Sequence, residues 1–267
     1  MKPARVILSL LCAVCLGCGS SLNKPLLPKQ PANEAASSEQ DEWQRTVEKT
    51  DIIYFPVETI QASGNDGSVA KLVQALRDAG TPFSIGWQGI EPDTGDQSST
   101  NEPHWSYAGA LREQCKMVMR DTIDERQLFL GLPRAVRLKL QGGSVLTTDE
   151  RAGLARGYRT PGDGLEDFAE QLAAVRGLQE RDIENLYRAH VIAAQFAAEK
   201  IVTHMREHTG EKLLVFARRR ELTGDCGLPA FVSQKLALRQ ITLDRQRAHT
   251  AQPRLVSTRC DHRTRRL

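Results

Sequence analysis

Short apolar runs alternating with amphipathic segments are the feature of this sequence that most restricts its fold. Residues 51–57 (DIIYFPV) are rich in β-branched and aromatic side chains, which predicts a strand buried on both faces, with Pro56 at its end. Four further runs share this pattern: 83–87, 127–132, 213–217 and 238–243. Strands that are connected through helices pair in parallel. We therefore expect an α/β domain, with a mostly parallel sheet flanked by helices and a helical insertion in its middle.

The helical segments are recognised by apolar residues three and four positions apart and by the breakers that follow them. The longest begins at Asp182, runs to about His208 and is followed by Gly210. Shorter helices are predicted at 69–79, 105–119, 133–141 and 165–176, and Thr148, with Asp149 and Glu150, is expected to cap another short helix.

Composition and charge narrow the class of protein. Of the 267 residues, 40% are hydrophobic and 26% are charged, which is typical of a soluble globular domain and excludes a polytopic membrane protein. The formal net charge is +3, yet residues 245–267 alone contain seven arginines and one aspartate. The rest of the folded part is mildly acidic, so we expect no nucleic-acid partner.

The N-terminus has the pattern of an export signal. Lys2 and Arg5 precede a short apolar stretch that ends in Leu16-Gly17-Cys18, which resembles a bacterial lipobox with Cys18 as the lipidated residue. Plain secretory cleavage and an uncleaved hydrophobic end remain alternatives. We expect a signal peptide at 1–17, a lipidated N-terminus and flexible tether at 18–48, a folded domain at 49–245 and a disordered basic tail at 246–267.

Three stretches carry a resemblance to a known family. They are LGLPRAVRLKLQGGSVLTTDERAGL (130–154), YRAHVIAAQFAAEKIVTHM (187–205) and KLLVFARRRELTGDCGLPAFVSQKLALRQITLD (212–244). Together with DIIYFPVETI (51–60) they resemble the ChaN-like haem-binding uptake family, which belongs with the Tiki and erythromycin-esterase-like proteins. The resemblance implies an outer-membrane-associated lipoprotein that binds haem in iron uptake.

The sequence departs from the family at the motifs that carry its chemistry. The Gly-x-Gly-His signature is replaced by Arg218-Arg219-Arg220-Glu221, and the Gly-Glu-x-His motif by Pro56-Val57-Glu58-Thr59. Gly86 occupies the place of an acidic residue. A divalent metal or a general base needs imidazole and carboxylate groups at such places. We therefore expect binding rather than catalysis and assign no catalytic residue.

Haem needs less: one axial donor, an apolar slot and cations for its propionates. His190 and Tyr187 lie on the apolar stripe of the long helix and are the candidate haem-binding residues, with core packing as the alternative. Arg218, Arg219 and Arg220 follow a strand end and are candidates for a propionate or another anion. A solvated loop is the alternative for these arginines.

The sequence offers less support for a functional role of the remaining candidate residues. His204 and His208 have the i,i+4 spacing of a chelating pair, but no third ligand is evident nearby in the sequence, so we assign no metal site. His104 and Tyr107 are candidates for a pocket lining, and Cys226 for a thiolate ligand, with surface aromatics and an incidental thiol as the respective alternatives. The arginines of the tail are candidates for contact with anionic lipid.

The sequence thus predicts a lipid-anchored protein of the bacterial envelope, facing the periplasm or held at the outer membrane, with a ChaN-like domain that binds haem. One alternative is a degenerate, non-catalytic family member that binds a protein partner of the envelope. A second is a hydrolase with a rearranged site.

Overall fold

The computed structural model describes residues 45, 47–62, 68–91, 104–105, 109–154, 164–173, 175 and 177–243. The leader, Cys18, the tether up to residue 44, Tyr107 and the basic tail lie outside this part of the chain. Within the described residues, no helix combines the length and the apolar composition that a bilayer crossing requires.

A five-stranded sheet forms the centre of the domain. In chain order the strands are β1 (Ile52–Pro56), β2 (Phe83–Trp87), β3 (Ile90–Glu91), β4 (His104–Trp105), β5 (Arg126–Phe129), β6 (Lys212–Ala217) and β7 (Gln240–Thr242). Five of them pair in the order β5-β2-β6-β1-β7, and every neighbouring pair is parallel. This confirms the expected α/β fold with a parallel sheet.

Helices connect the strands and cover both faces of the sheet. They are α1 (Val57–Ala62), α2 (Ser68–Asp78), α3 (Ala110–Asp121), α4 (Arg134–Gln141), α5 (Thr148–Ala152), α6 (Leu165–Leu172), α7 (Glu180–Glu207), α8 (Arg219–Leu222) and α9 (Leu228–Ser233). Among the described residues, α4, α5 and α6 follow one another with no strand between them, at the place where the sequence predicts a helical insertion.

Each face of the sheet has its own apolar core, because side chains alternate along every strand. In β1, Ile52 and Tyr54 point to the core that α7 and α9 cover. Ile53 and Phe55 point to the opposite core, which α2 and α3 cover. All five residues of β1 are buried, as a central strand of a parallel sheet requires.

The bounds of several elements differ from the sequence-based expectation. The helix expected from Trp105 begins at Ala110, because Gly109 adopts a positive φ of 59° and Trp105 pairs with Ile90 in a small antiparallel sheet. The third predicted strand ends at Phe129 instead of Leu132. Val47 is buried in the core, two residues before the expected start of the domain.

Candidate functional site

The carboxyl ends of β1 and β6 bring together residues from distant parts of the chain. Pro56 at the end of β1 is level with Ala217 at the end of β6, so Glu58 and the arginines that follow Ala217 meet at one edge of the sheet. The carboxyl edge of a parallel sheet is where ligands bind in open α/β folds. This edge is therefore the candidate site.

The arginine loop is organised by two carboxylates. The backbone N–H of Arg219 donates to Oε2 of Glu58 at 3.0 Å, across the sheet edge. The backbone N–H of Arg218 donates to Oε2 of Glu221 at 2.9 Å, which caps α8. Three consecutive arginines are thus held in one turn of helix because acidic side chains occupy its free N–H groups.

Glu221 is a half-buried acid at this edge. Burial raises the pKa of its carboxyl group, the hydrogen bond from Arg218 and the nearby guanidinium groups of Arg218 and Arg220 lower it, and Glu58 raises it further. The arginines therefore compensate a carboxyl group that burial would otherwise disfavour in its charged form.

His190 lies beside this loop on the long helix α7. Its imidazole packs on the buried ring of Phe168, with 5.2 Å between the ring centroids. Burial lowers its pKa to about 4, and the charge of Arg220 contributes to the shift. The lowered pKa keeps the imidazole neutral at physiological pH, and Arg220 is the predicted arginine whose charge acts on it.

Tyr187, one turn earlier in α7, is oriented into the core. Its side chain is 3% exposed, and its ring packs against Phe168 with 5.5 Å between centroids. Its hydroxyl lies 3.3 Å from Sγ of Cys226. Tyr187 and Cys226 therefore contact each other in the interior, whereas His190 is partly exposed.

Gly86 lies in β2, where the resembling family has an acidic residue. A Cβ atom at this position would lie 3.0 Å from Cδ1 of Leu130 and 3.4 Å from Cγ2 of Val215. The space that a carboxylate would occupy is filled by aliphatic side chains. The sheet is therefore packed for a glycine at this position.

The other predicted pocket residues are not brought to this edge by described contacts. His104 belongs to β4, which pairs with β3, and Tyr107 lies outside the described residues. The structure does bring His204 and His208 together with Glu211, the third potential ligand that was missed in the sequence. The signal was available: Gly210 allows the chain to turn back immediately after the helix.

The comparisons with known proteins concern the fold. No protein-family model matches the sequence, and no curated protein matches it. Among solved structures, that of ChaN from Campylobacter jejuni, described as cofacial heme binding to ChaN, is similar with a TM-score of 0.52. The two sequences are 13% identical, and the match covers 76% of this chain and 84% of the Campylobacter chain. At this identity the likeness concerns the architecture, and the chain has a ChaN-like fold.

Proposed function

We propose that this protein binds haem at the carboxyl edge of its sheet, with His190 as the axial donor. The observation that carries the proposal is a half-buried imidazole that packs on an aromatic ring and whose pKa is lowered by burial and by the charge of Arg220. Iron binds the unprotonated nitrogen of imidazole, and the lowered pKa of His190 keeps that nitrogen free of a proton.

The remaining residues of the edge fit the other needs of haem. Phe168 packs against one face of the His190 ring, and Arg220 supplies a cation suited to a propionate group. The similar solved structure is that of a protein described as binding heme, which supports the same ligand class. Tyr187 is less suited as an axial donor because its hydroxyl is buried against Cys226.

A hemin titration of the full chain, followed in the Soret region, tests the proposal. We expect a saturable, shifted band for the unmodified chain and for His208→Ala, and loss of that band for His190→Ala. His208 is the matched control because it is a half-exposed histidine near the other end of the same helix. We expect Arg220→Ala to weaken binding by a factor of about five or less, since an exposed ion pair contributes about 0.2–1 kcal/mol.

Two outcomes would redirect the search. An unchanged band in His190→Ala would place the haem elsewhere. The absence of any specific band would favour the non-catalytic reading, in which the domain binds a protein partner of the envelope. Ester hydrolysis that disappears in Glu58→Ala would instead support the hydrolase reading, because Glu58 is the carboxylate that bridges the two strand ends.

We further propose that the protein is anchored to a membrane of the bacterial envelope through lipid on Cys18. The proposal rests on the charged start, the short apolar stretch and the small residue before Cys18. Incorporation of labelled palmitate should occur in the unmodified chain and in Cys15→Leu, which restores the usual lipobox residue. Incorporation in Cys18→Ser to the same extent would contradict it.

A further inference from the structure

A second cluster of potential ligands lies at the opposite edge of the sheet. His204, His208 and Glu211 each offer one ligand atom, and these atoms all lie within 4.8 Å of one another. Glu211 directly precedes β6, whereas the arginine loop follows β6. The cluster is therefore separate from the proposed haem site.

The end of α7 explains why the three side chains meet. His204 and His208 are one helical turn apart, so they lie on the same face, and their rings stack with 4.4 Å between centroids. Gly210 adopts a φ of 87°, a conformation that suits glycine and reverses the chain. The backbone N–H of Glu211 then donates to the carbonyl of His208 at 3.2 Å, which fixes the turn.

The imidazole of His204 is buried with an unsatisfied nitrogen. The residue is 5% exposed, and its Nε2 atom has no hydrogen-bond partner among the described residues. Oε1 of Glu211 lies 3.7 Å away from it, too far for a hydrogen bond. A buried polar atom without a partner destabilises the folded state, and a bound ion is one of the standard reasons for its presence.

The neighbours of the cluster orient it for metal binding. Nδ1 of His208 donates to the carbonyl of His204 at 2.9 Å, which leaves Nε2 of His208 free as a ligand. The hydroxyl of Ser84 donates to Oε1 of Glu211. Nη1 of Arg126 lies 3.8 Å from Oε2 of the same carboxylate. Such outer contacts fix the rotamers of ligands in known metal sites.

We propose that His204, His208 and Glu211 bind a divalent transition-metal ion of the zinc class. Two imidazole nitrogens and one carboxylate oxygen suit zinc and its neighbours, whereas calcium and magnesium require oxygen ligands. Ligand atoms around tetrahedral zinc lie about 3.3 Å apart, so the side chains need only small rotations to close on the ion. Glu211 also lines a groove of about 510 Å³, so this side of the cluster is open to solvent.

Zinc titration of the full chain against a chromophoric chelator tests this site. Because the six cysteines of the chain offer other zinc ligands, the measured quantity is the difference between variants. We expect the unmodified chain and His190→Ala to bind one more equivalent of zinc than His208→Ala. We expect Glu211→Gln to weaken binding at this site at least about tenfold. Zinc should raise the Tm of the first two chains more than that of the two ligand variants.

Neither ligand variant, His208→Ala or Glu211→Gln, is expected to disrupt the fold. His208 caps the helix on a half-exposed position, and glutamine at 211 keeps the shape of the side chain and an acceptor for Ser84. Far-UV circular dichroism checks the fold of each chain. Equal zinc stoichiometry and affinity in the unmodified chain and in folded Glu211→Gln would overturn the proposal. Its failure leaves the haem titration unaffected, since His190 is not part of this cluster.

Discussion

At the residue scale, two histidines of one helix differ because their neighbours differ. His190 packs on an aromatic ring and is influenced by the charge of Arg220, whereas His204 lies against a second imidazole and a carboxylate. Burial is the main cause that lowers the pKa of both. The sequence places both residues on the helix, but only the fold shows which groups surround each of them. The neighbours of His190 come from other helices, and Glu211 reaches His204 because the chain turns back after α7.

The lowered pKa of His190 has a measurable effect on stability. Between pH 6.5 and about 4 the unfolded chain takes up a proton at this residue, while the folded chain does not. The free energy of unfolding therefore falls as the pH drops through this window. In His190→Gln we expect that fall to be smaller, by at most about 3 kcal/mol.

Urea denaturation near neutral pH and near the lower end of the window measures this effect. Loss of packing against Phe168 shifts the stability of the variant at both pH values, so the relevant quantity is the change between them. Equal changes in the two proteins would mean that His190 takes up its proton as readily in the folded state as in the unfolded one.

Gly86 gives a second prediction at this scale. Gly86→Asp should lower the free energy of unfolding by about 3 kcal/mol or more, because it places a carboxylate against Leu130 and Val215 without a partner. Gly153→Ala is the matched control, since its φ of −73° and its surroundings accept a Cβ atom. Denaturation midpoints measure both, and a stable Gly86→Asp chain would show that this part of the sheet can rearrange.

At the element scale, local signals in the sequence locate most helices and strands. The strand Phe83–Trp87 has the bounds that its apolar run predicts, and Gly142 ends α4 as expected. The predicted start of a helix at Trp105 was wrong, because an aromatic residue at this position fits a helical spacing and a strand equally well. The order of the strands was not predictable, since periodicity within an element does not reveal its neighbours.

The short helix α5 depends on its capping box. The hydroxyl of Thr147 accepts from the N–H of Glu150 at 3.3 Å, and Oε2 of Glu150 accepts from the N–H of Thr147 at 2.8 Å. Thr147→Ala should cost about 1 kcal/mol of stability, measured by chemical denaturation. Ser144→Ala, a nearby change outside the box, is the control and should cost less.

The contribution of this capping box to stability should depend on pH, because it includes the carboxylate of Glu150. The hydrogen bond from Lys139 is the largest cause that lowers the pKa of Glu150, followed by the hydrogen bond from the backbone of Thr147. The stabilisation that this carboxylate provides is present above its ordinary pKa of 4.5 and is lost as the pH falls through the lowered value. Glu150→Gln should therefore destabilise the chain near neutral pH more than in acid.

At the scale of the whole molecule, the long helix connects the two candidate sites. His190 and His204 are about 21 Å apart along α7, at a rise of 1.5 Å per residue. The helix runs antiparallel to the strands, so it places one histidine at each edge of the sheet. A single helix therefore contributes to both proposed sites. A variant at one site can serve as the control in the test of the other site.

The central strand should be the most protected part of the molecule. β6 pairs on both sides, with β1 and with β2, whereas β7 pairs on one side only among the described strands. We expect the amides of Leu214 and Val215 to exchange with solvent only through global unfolding, and those of β7 to exchange faster. Native-state hydrogen exchange measures this, and equal protection of β7 would contradict it.

The position of β6 also sets the order in which the chain can acquire structure during synthesis. β1 and β2 are not neighbours; the strand that joins them begins at Lys212 and is synthesised long after both of them. Among the described strands, β1 therefore has no partner until β6 has been made, whereas β2 can pair earlier with β5. Contacts between such distant segments slow folding. In a nascent chain with this topology, the sheet therefore cannot be completed before β6 has been synthesised.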